Sequence, residues 1–132
     1  MYINESNYVD KAEEVIKSLK AKGKENKRTG EREIQLTTSK IRNLLAMTDD
    51  IYNEVMNQND DALSEDVGSR ISYLRIRFIY EAGRDNNVGE FVEQAKILDI
   101  LKQIGNSRKN YILFNRYMEA LVAFHKYYGG KD

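Results

Sequence analysis

Residues 68–85 constrain the fold more than any other part of the chain, because their apolar residues recur at helical spacing. The segment reads GSRISYLRIRFIYEAGRD. At about 100° per residue, one face of such a helix carries Val67, Ile71, Leu74, Phe78 and Ala82. Most of the remaining surface is apolar as well, through Tyr73, Ile76, Ile79 and Tyr80. The pattern predicts a helix that is buried on most of its sides.

Three arginines interrupt this apolar surface at seven-residue intervals, namely Arg70, Arg77 and Arg84. Because a seven-residue spacing drifts by only about 20° per step, they form a stripe along one edge of the helix. An arginine at the margin of a core costs free energy unless a carboxylate or a phosphate balances its charge. The sequence leaves both explanations open, internal salt bridges or nucleic-acid phosphates. The stripe is about 21 Å long, enough for about six phosphates of one strand.

Helical periodicity extends over most of the chain, which contains no proline. Four further segments show amphipathic spacing: residues 7–22, 36–58, 88–104 and 107–128. Thr37, Thr38 or Ser39 can cap the second of these helices. A chain of 132 residues is the size of one domain. We therefore expect an all-α fold, a compact bundle of about five helices that forms a single domain over residues 1–132.

The last helix carries two apolar faces. Tyr111, Phe114 and Met118 lie on one face with the single histidine, His125, and a second face contains Leu113, Tyr117 and Phe124. Two apolar faces predict burial on both sides, one against the core and the other against a neighbouring subunit. At this position His125 is either a hydrogen-bonded core residue or a contact to a ligand or partner.

Residues 24–35, KENKRTGEREIQ, lose the periodicity and are strongly charged. We expect a mobile surface loop that serves either as a plain linker or as a basic grip on a phosphate backbone.

Charge is balanced over the chain but segregated along it. The 21 basic and 21 acidic residues cancel, which argues against an indiscriminate polyanion binder. Residues 17–33 are nevertheless predominantly basic, and residues 49–66 contain acidic residues with no lysine or arginine. Lys40 and Arg42 fall in the first turn of a helix, where cations oppose the helix dipole, so they mark either an anion site or ordinary surface charge. A neutral protein with one basic face suits a component of an assembly.

The sequence offers little for catalysis. It has no cysteine, one histidine and no glycine-rich phosphate loop or HExxH motif, so we predict that the protein is not an enzyme. The acidic residues between Asp49 and Asp66 match no calcium loop, and we expect neither metal nor cofactor. We find no leader and no membrane-spanning run, so we expect a soluble, cytoplasmic protein. Tyr73, Tyr80 and Tyr111 are packing residues or, beside the arginines, surfaces on which bases stack.

Three sequence blocks together resemble the small subunit of the type III-A CRISPR effector, the Csm complex. They are TTSKIRN at residues 37–43, YEAGR at residues 80–84 and FNRYMEALVAFHKYYGGK at residues 114–131. Their order, spacing and C-terminal position make the resemblance specific, and it covers residues 37–131.

The resemblance implies a helical bundle without catalytic activity that stacks with copies of itself in a minor filament. Its implied partners are the guide RNA and the target RNA, together with the backbone and large subunits of the complex. Lys40, Arg42, Arg84 and Lys126 lie in the matching blocks and are the implied RNA contacts. Arg77 and Arg116 join them as candidates from the charge pattern alone. Contacts would go to phosphate and sugar, because the guide reads the sequence by base pairing. The rival is an adaptor bundle whose arginines are neutralised by its own acidic residues.

Overall fold

The computed structural model describes residues 1–132 and contains six α-helices and no β-strand. Their bounds are α1 Tyr8–Ala21, α2 Thr38–Asn57, α3 Glu65–Arg84, α4 Asn86–Gln94, α5 Ile97–Gln103 and α6 Arg108–Tyr127. The all-α prediction is confirmed, and the structure has one helix more than the expected number of about five.

The additional helix arises because residues 88–104, predicted as one helix, are broken in the middle. Lys96 adopts a left-handed backbone conformation with φ of 59°, which interrupts the helical hydrogen-bond ladder between α4 and α5. The buried hydroxyl of Tyr117 donates a hydrogen bond of 3.0 Å to the carbonyl oxygen of Ala95, which the break leaves without a helical partner. The change of direction brings Ile97 and Ile100 into the core, where both are fully buried.

Polar side chains fix where four of the helices begin. Each accepts a hydrogen bond from a backbone N–H of the first turn, which would otherwise be unpaired. The caps are Thr37 for α2, Ser64 for α3, Asp85 for α4 and Ser107 for α6.

Helix α2 lies between α3 and α6 and runs antiparallel to both. Near its start, Lys40 pairs with Asp85 after the end of α3. Near its end, the Arg108 side chain at the start of α6 donates to the carbonyl oxygen of Val55 at 3.0 Å. Helices α4 and α5 pack on the side of α3 that faces the core, and α1 packs against α6.

One hydrophobic core joins all six helices. Thirty buried apolar residues form a single cluster, and α6 supplies its centre. Tyr111, Phe114, Tyr117, Met118 and Leu121 of this helix have no exposed surface. The hydroxyl of Tyr111 donates to the carbonyl oxygen of Thr48 at 2.7 Å, so burial of this polar group is balanced by a hydrogen bond. Tyr111 is therefore a core residue and offers no surface for a base.

The structure departs from the predicted burial in α3, whereas the neighbouring subunit expected on the second face of α6 stays a prediction. On the second face of α6, Tyr117 is buried, and Leu113 and Phe124 are half-buried against the core of the domain. Helix α3 instead buries one face only, through Val67, Ile71, Leu74 and Phe78. Its other apolar residues are exposed: Tyr73, Ile76, Ile79 and Tyr80. The prediction that α3 is buried on most sides is wrong, and the exposed apolar surface lies on α3.

Residues 24–35 form a hairpin-like turn. Glu25 and Arg32 form an isolated antiparallel bridge, and the backbone turns at Gly30, where φ is 76°. Ile34 anchors the end of the segment in the core. The mobility expected of this segment stays a prediction. None of the six helices combines the length and apolar composition that a bilayer crossing requires.

Candidate nucleic-acid interface

The start of α2 is the point at which distant parts of the chain meet. The buried His125 ring near the end of α6 donates a hydrogen bond from Nε2 to the carbonyl oxygen of Leu36 at 2.7 Å. His125 is therefore a hydrogen-bonded core residue. Gly130 packs directly against this ring, and its N–H donates to the His125 carbonyl oxygen at 2.7 Å. These contacts hold the C-terminal tail beside the first turn of α2.

A carboxylate of the tail occupies the anion-accepting position at this helix start. Oδ1 of Asp132 accepts hydrogen bonds from the backbone N–H of Ser39 at 2.9 Å and from its hydroxyl at 2.7 Å. The positive end of the α2 dipole and the free N–H groups of the first turn favour an anion here. The carboxylate of Asp132 supplies this anion from within the chain.

Two of the predicted RNA contacts surround this carboxylate. Hydrogen bonds from Ser39 lower the pKa of Asp132, and the positive charges of Lys126 and Arg42 lower it further. Arg42 and Lys126 are both exposed, and neither forms an ion pair within 4.0 Å. Their charges therefore remain available to an anion from outside the chain.

Lys40 lies on the adjacent side of the same helix start and pairs with Asp85. The Asp85 carboxylate also accepts from the N–H groups of Asn87 at 2.9 Å and Val88 at 3.2 Å, where it caps α4. Its pKa is lowered, first by the hydrogen bond from Lys40 and next by the one from Val88. Arg84 precedes this aspartate, and its Nε lies 3.3 Å from Oε2 of Glu81. The structure thus gathers Lys40, Arg42 and Lys126 around the start of α2, and Arg84 adjoins in sequence the aspartate that pairs with Lys40.

The other two candidates lie outside this cluster. Arg77 is two helical turns from Arg84, about 10 Å along α3, and borders a cleft between α2 and α3. Arg116 lies about 15 Å from Lys126 along α6, in a shallow cleft beside Glu5 and Lys109. Arg77 extends the cluster along α3, whereas Arg116 belongs to a separate part of the surface.

Salt bridges within the chain neutralise only some of the three arginines that are spaced seven residues apart on α3. Arg70 pairs with Glu54 of α2, and Arg84 pairs with Glu81 one turn earlier on its own helix. Arg77 between them is exposed and forms no ion pair. Internal salt bridges therefore account for two of the three arginines.

Sequence reasoning missed the acidic members of this site. Asp85 lies between two helices, and this local pattern is typical of a helix cap. Its pairing with Lys40, in contrast, depends on the packing of α2 against α3. No sequence signal connects Asp132 with Ser39, which is 93 positions away. No three acidic or histidine side chains lie close enough together to hold a metal ion.

Fold and site together define a class, that of small helical-bundle proteins with cationic side chains grouped at one end. Here this cationic end consists of Lys40, Arg42, Arg84 and Lys126. A model of the family described as Csm2 Type III-A matches residues 10–131. The chain therefore belongs to the Csm2 family of type III-A, and the resemblance seen in the three sequence blocks is confirmed.

Curated relatives agree with this assignment, and two of them match over nearly their whole length. The chain is 44% identical over 130 residues to "CRISPR system Cms protein Csm2" of Streptococcus thermophilus, covering 98% of each chain. It is 38% identical over 132 residues to the protein of the same name from Mycobacterium tuberculosis (strain CDC 1551 / Oshkosh), covering 100% of this chain and 99% of the relative. A relative from Enterococcus italicus is 42% identical over 96 residues, covering 70% of this chain and 68% of its own length.

Proposed function

We propose that this chain is the non-catalytic small subunit of a cytoplasmic type III-A interference complex. In this role it stacks with neighbouring copies in a minor filament, beside the backbone and large subunits. Its cationic end holds the guide and target RNA through contacts to phosphate and sugar, without reading the sequence. Family membership supports the assignment to the complex, and the surface chemistry supports the mode of RNA binding.

The arrangement around Asp132 is the observation that carries the RNA-binding proposal. A helix start with donor groups already holds an anion there, and Arg42 and Lys126 are unpaired beside it. An RNA phosphate carries the same kind of charge as the Asp132 carboxylate and can replace it at the Ser39 N–H and hydroxyl. Lys40 and Arg84 extend the positive surface for the next phosphates along the strand. The proposed contacts are Lys40, Arg42, Arg84 and Lys126, with Arg77 as an extension and Arg116 as a separate candidate.

Fluorescence anisotropy with labelled single-stranded RNA and RNA duplex, across a salt series, tests this proposal. The informative variant is Arg42→Gln/Lys126→Gln, because neither side chain forms an ion pair and the fold should be retained. The matched control is Lys96→Gln/Lys102→Gln, which removes two exposed cations from the α4–α5 side of the molecule. We expect the first variant to lose affinity and to show a log–log salt slope shallower by about 1.4 on single strands.

The control should bind like the unmodified chain, which would show that local position matters rather than net charge. Equal loss in both variants would point to unspecific charge attraction. Salt-independent binding by the unmodified chain, or none at all, would remove the phosphate contacts from the proposal. Circular dichroism of each variant shows whether its helices are intact.

A second function is favoured by a different observation. The exposed apolar residues Ile76 and Ile79 on α3, and the internal pairs of Lys40 and Arg84, suit an adaptor bundle that binds protein and makes no RNA contact. Charge reversal at Arg84 separates the two functions. The RNA role predicts a stable protein with weakened RNA binding, whereas the adaptor role predicts reduced stability in a protein that does not bind RNA before or after the change.

A further inference from the structure

We propose that Tyr73, Arg77, Tyr80 and Arg84, here called the α3 stripe, form a stacking platform for unpaired bases of single-stranded RNA. The inference rests on the proposed RNA role and adds to it the conformation of the bound strand. Contacts to the RNA backbone at the start of α2 would hold any RNA. The α3 stripe would in addition favour RNA whose bases are unpaired and unstacked.

The four side chains of the α3 stripe lie along one line on the solvent side of the helix. Successive members are three or four residues apart, the spacing that keeps residues on one helix face. Tyr73 and Tyr80 each keep 63% of their surface exposed. Their hydroxyls make no hydrogen bond within the chain, unlike those of Tyr111 and Tyr117, which are buried and bonded to backbone carbonyls. Core packing therefore does not explain these two rings.

The Tyr80 ring has a cation beside it. The Arg84 guanidinium lies 5.7 Å from the centre of the Tyr80 ring, within the range of a cation–π contact. Arg77 stands between the two tyrosines and has no carboxylate partner. Alternating rings and cations are the combination used by proteins that bind single strands, since the rings stack on bases and the cations follow the phosphates.

The spacing of the rings defines the kind of strand that fits. Seven residues of helix separate Tyr73 from Tyr80 by about 10.5 Å, whereas neighbouring nucleotides of a stacked strand advance about 3.4 Å. The two rings therefore cannot take adjacent bases of a regular helix. They suit bases separated along an opened strand, with a phosphate between them next to Arg77.

A cleft beside Tyr73 adds room for one planar group. It lies between α2 and α3, has a volume of about 260 Å³ and has an apolar floor of Met47, Ile51 and Leu74. Its charged lining residues are Arg70, Arg77 and Asp50. The volume is below the range of drug-sized ligand pockets, so the cleft suits a single ring rather than a duplex.

Position and charge favour RNA over a protein as the occupant. The α3 stripe ends at Arg84, next to the Asp85–Lys40 pair, and is therefore continuous with the cationic site at the start of α2. The uncompensated charge of Arg77 lies at its centre, where a polyanion would neutralise it. The exposed Ile76 and Ile79 lie to one side of this line.

The test compares two labelled RNA strands of equal length and charge, one with all its bases and one with abasic positions. Both are measured against the full chain and against Tyr73→Leu/Tyr80→Leu. The double variant Tyr73→Phe/Tyr80→Phe keeps the rings, and Tyr127→Leu removes an exposed tyrosine from α6 as a control. Sedimentation velocity without RNA records the association state of every protein.

We expect the unmodified chain to bind the base-bearing strand at least about 5-fold more tightly per stacked base than the abasic strand. The leucine variant should bind both strands equally and retain the salt dependence, because its cations remain. The phenylalanine variant and the Tyr127→Leu control should behave like the unmodified chain.

Three results would overturn the inference. Equal binding of both strands by the unmodified chain would leave only backbone contacts, so the proposed function would stand without the stacking platform. A leucine variant that dissociates copies of the chain but keeps the base preference would identify the α3 stripe as a protein interface. Absence of salt-dependent binding to both strands would remove the proposed function and the platform together.

Discussion

At the scale of single residues, the cationic end depends on two contacts that place the C-terminal tail. The His125 ring is held by its hydrogen bond to Leu36, and Gly130 lies flat against that ring. A Cβ at position 130 would come within 2.1 to 2.6 Å of the ring atoms, closer than side chains tolerate. Only glycine therefore lets the tail pass the ring and bring Asp132 to Ser39.

Gly130→Ala is accordingly expected to destabilise the protein by about 1–3 kcal/mol, as overpacking against a fixed neighbour does. Urea unfolding followed by circular dichroism measures this change. Gly68→Ala is the matched control, because position 68 lies in α3 with open space around it, and alanine there should stabilise by about 0.5–1 kcal/mol. If both alanine substitutions changed the free energy of unfolding equally, the close contact between Gly130 and His125 would not contribute to stability.

At the scale of elements, the sequence predicted helix positions well and helix surroundings poorly. The bounds of α1, α2, α3 and α6 lie within about three residues of the predicted segments, because caps and apolar periodicity are local signals. The break at Lys96 carried no local signal, since neither glycine nor proline is present there. It follows from tertiary packing, which supplies Tyr117 as a partner for the Ala95 carbonyl.

The positive φ at Lys96 leads to a prediction about stability. A residue with a Cβ pays about 1–2 kcal/mol for this conformation, and glycine avoids that cost but loses more entropy on folding. Lys96→Gly should therefore stabilise the protein by about 0.5–1 kcal/mol in urea unfolding. Lys96→Val should destabilise it, since a β-branched residue fits this conformation worst. The reverse order would mean that the α4–α5 break is not maintained in solution.

For the candidate site, the sequence predicted the individual residues but not how they are grouped in space. Lys40, Arg42, Arg84 and Lys126 were named from the sequence, and the fold brings them to one end of the bundle. Their grouping could not be derived from spacing, because it depends on α3 and α6 both running antiparallel to α2. The surroundings of α3 were also out of reach, since an apolar side chain has the same pattern in the sequence whether it faces the core or solvent.

At the scale of the whole molecule, three carboxylates connect segments that are distant in sequence. Asp85 links α2 to the α3–α4 junction, Asp132 links the tail to α2, and Glu33 links the hairpin-like turn to the tail through Lys131 at 3.4 Å. The pKa of each is lowered, chiefly by hydrogen bonds from Lys40 to Asp85, from Ser39 to Asp132 and from Asn26 to Glu33. The contacts that hold the cationic end together therefore depend on ionised carboxylates.

The direction of these shifts sets the pH at which the contacts fail. A carboxyl whose pKa is lower in the folded chain stabilises the fold above its ordinary pKa, and this contribution disappears as the pH falls through the folded-state pKa. Asp85→Asn/Asp132→Asn removes two of the charges, while asparagine at position 85 can still cap α4. We expect this variant to be less stable than the unmodified chain at pH 7. The difference should begin to shrink as the pH falls to the ordinary aspartate value of 3.8 and should disappear below the lowered folded-state pKa values. Urea unfolding at pH 7, 5 and 3 measures the difference, and a gap that stays constant down to pH 3 would assign it to packing rather than to charge.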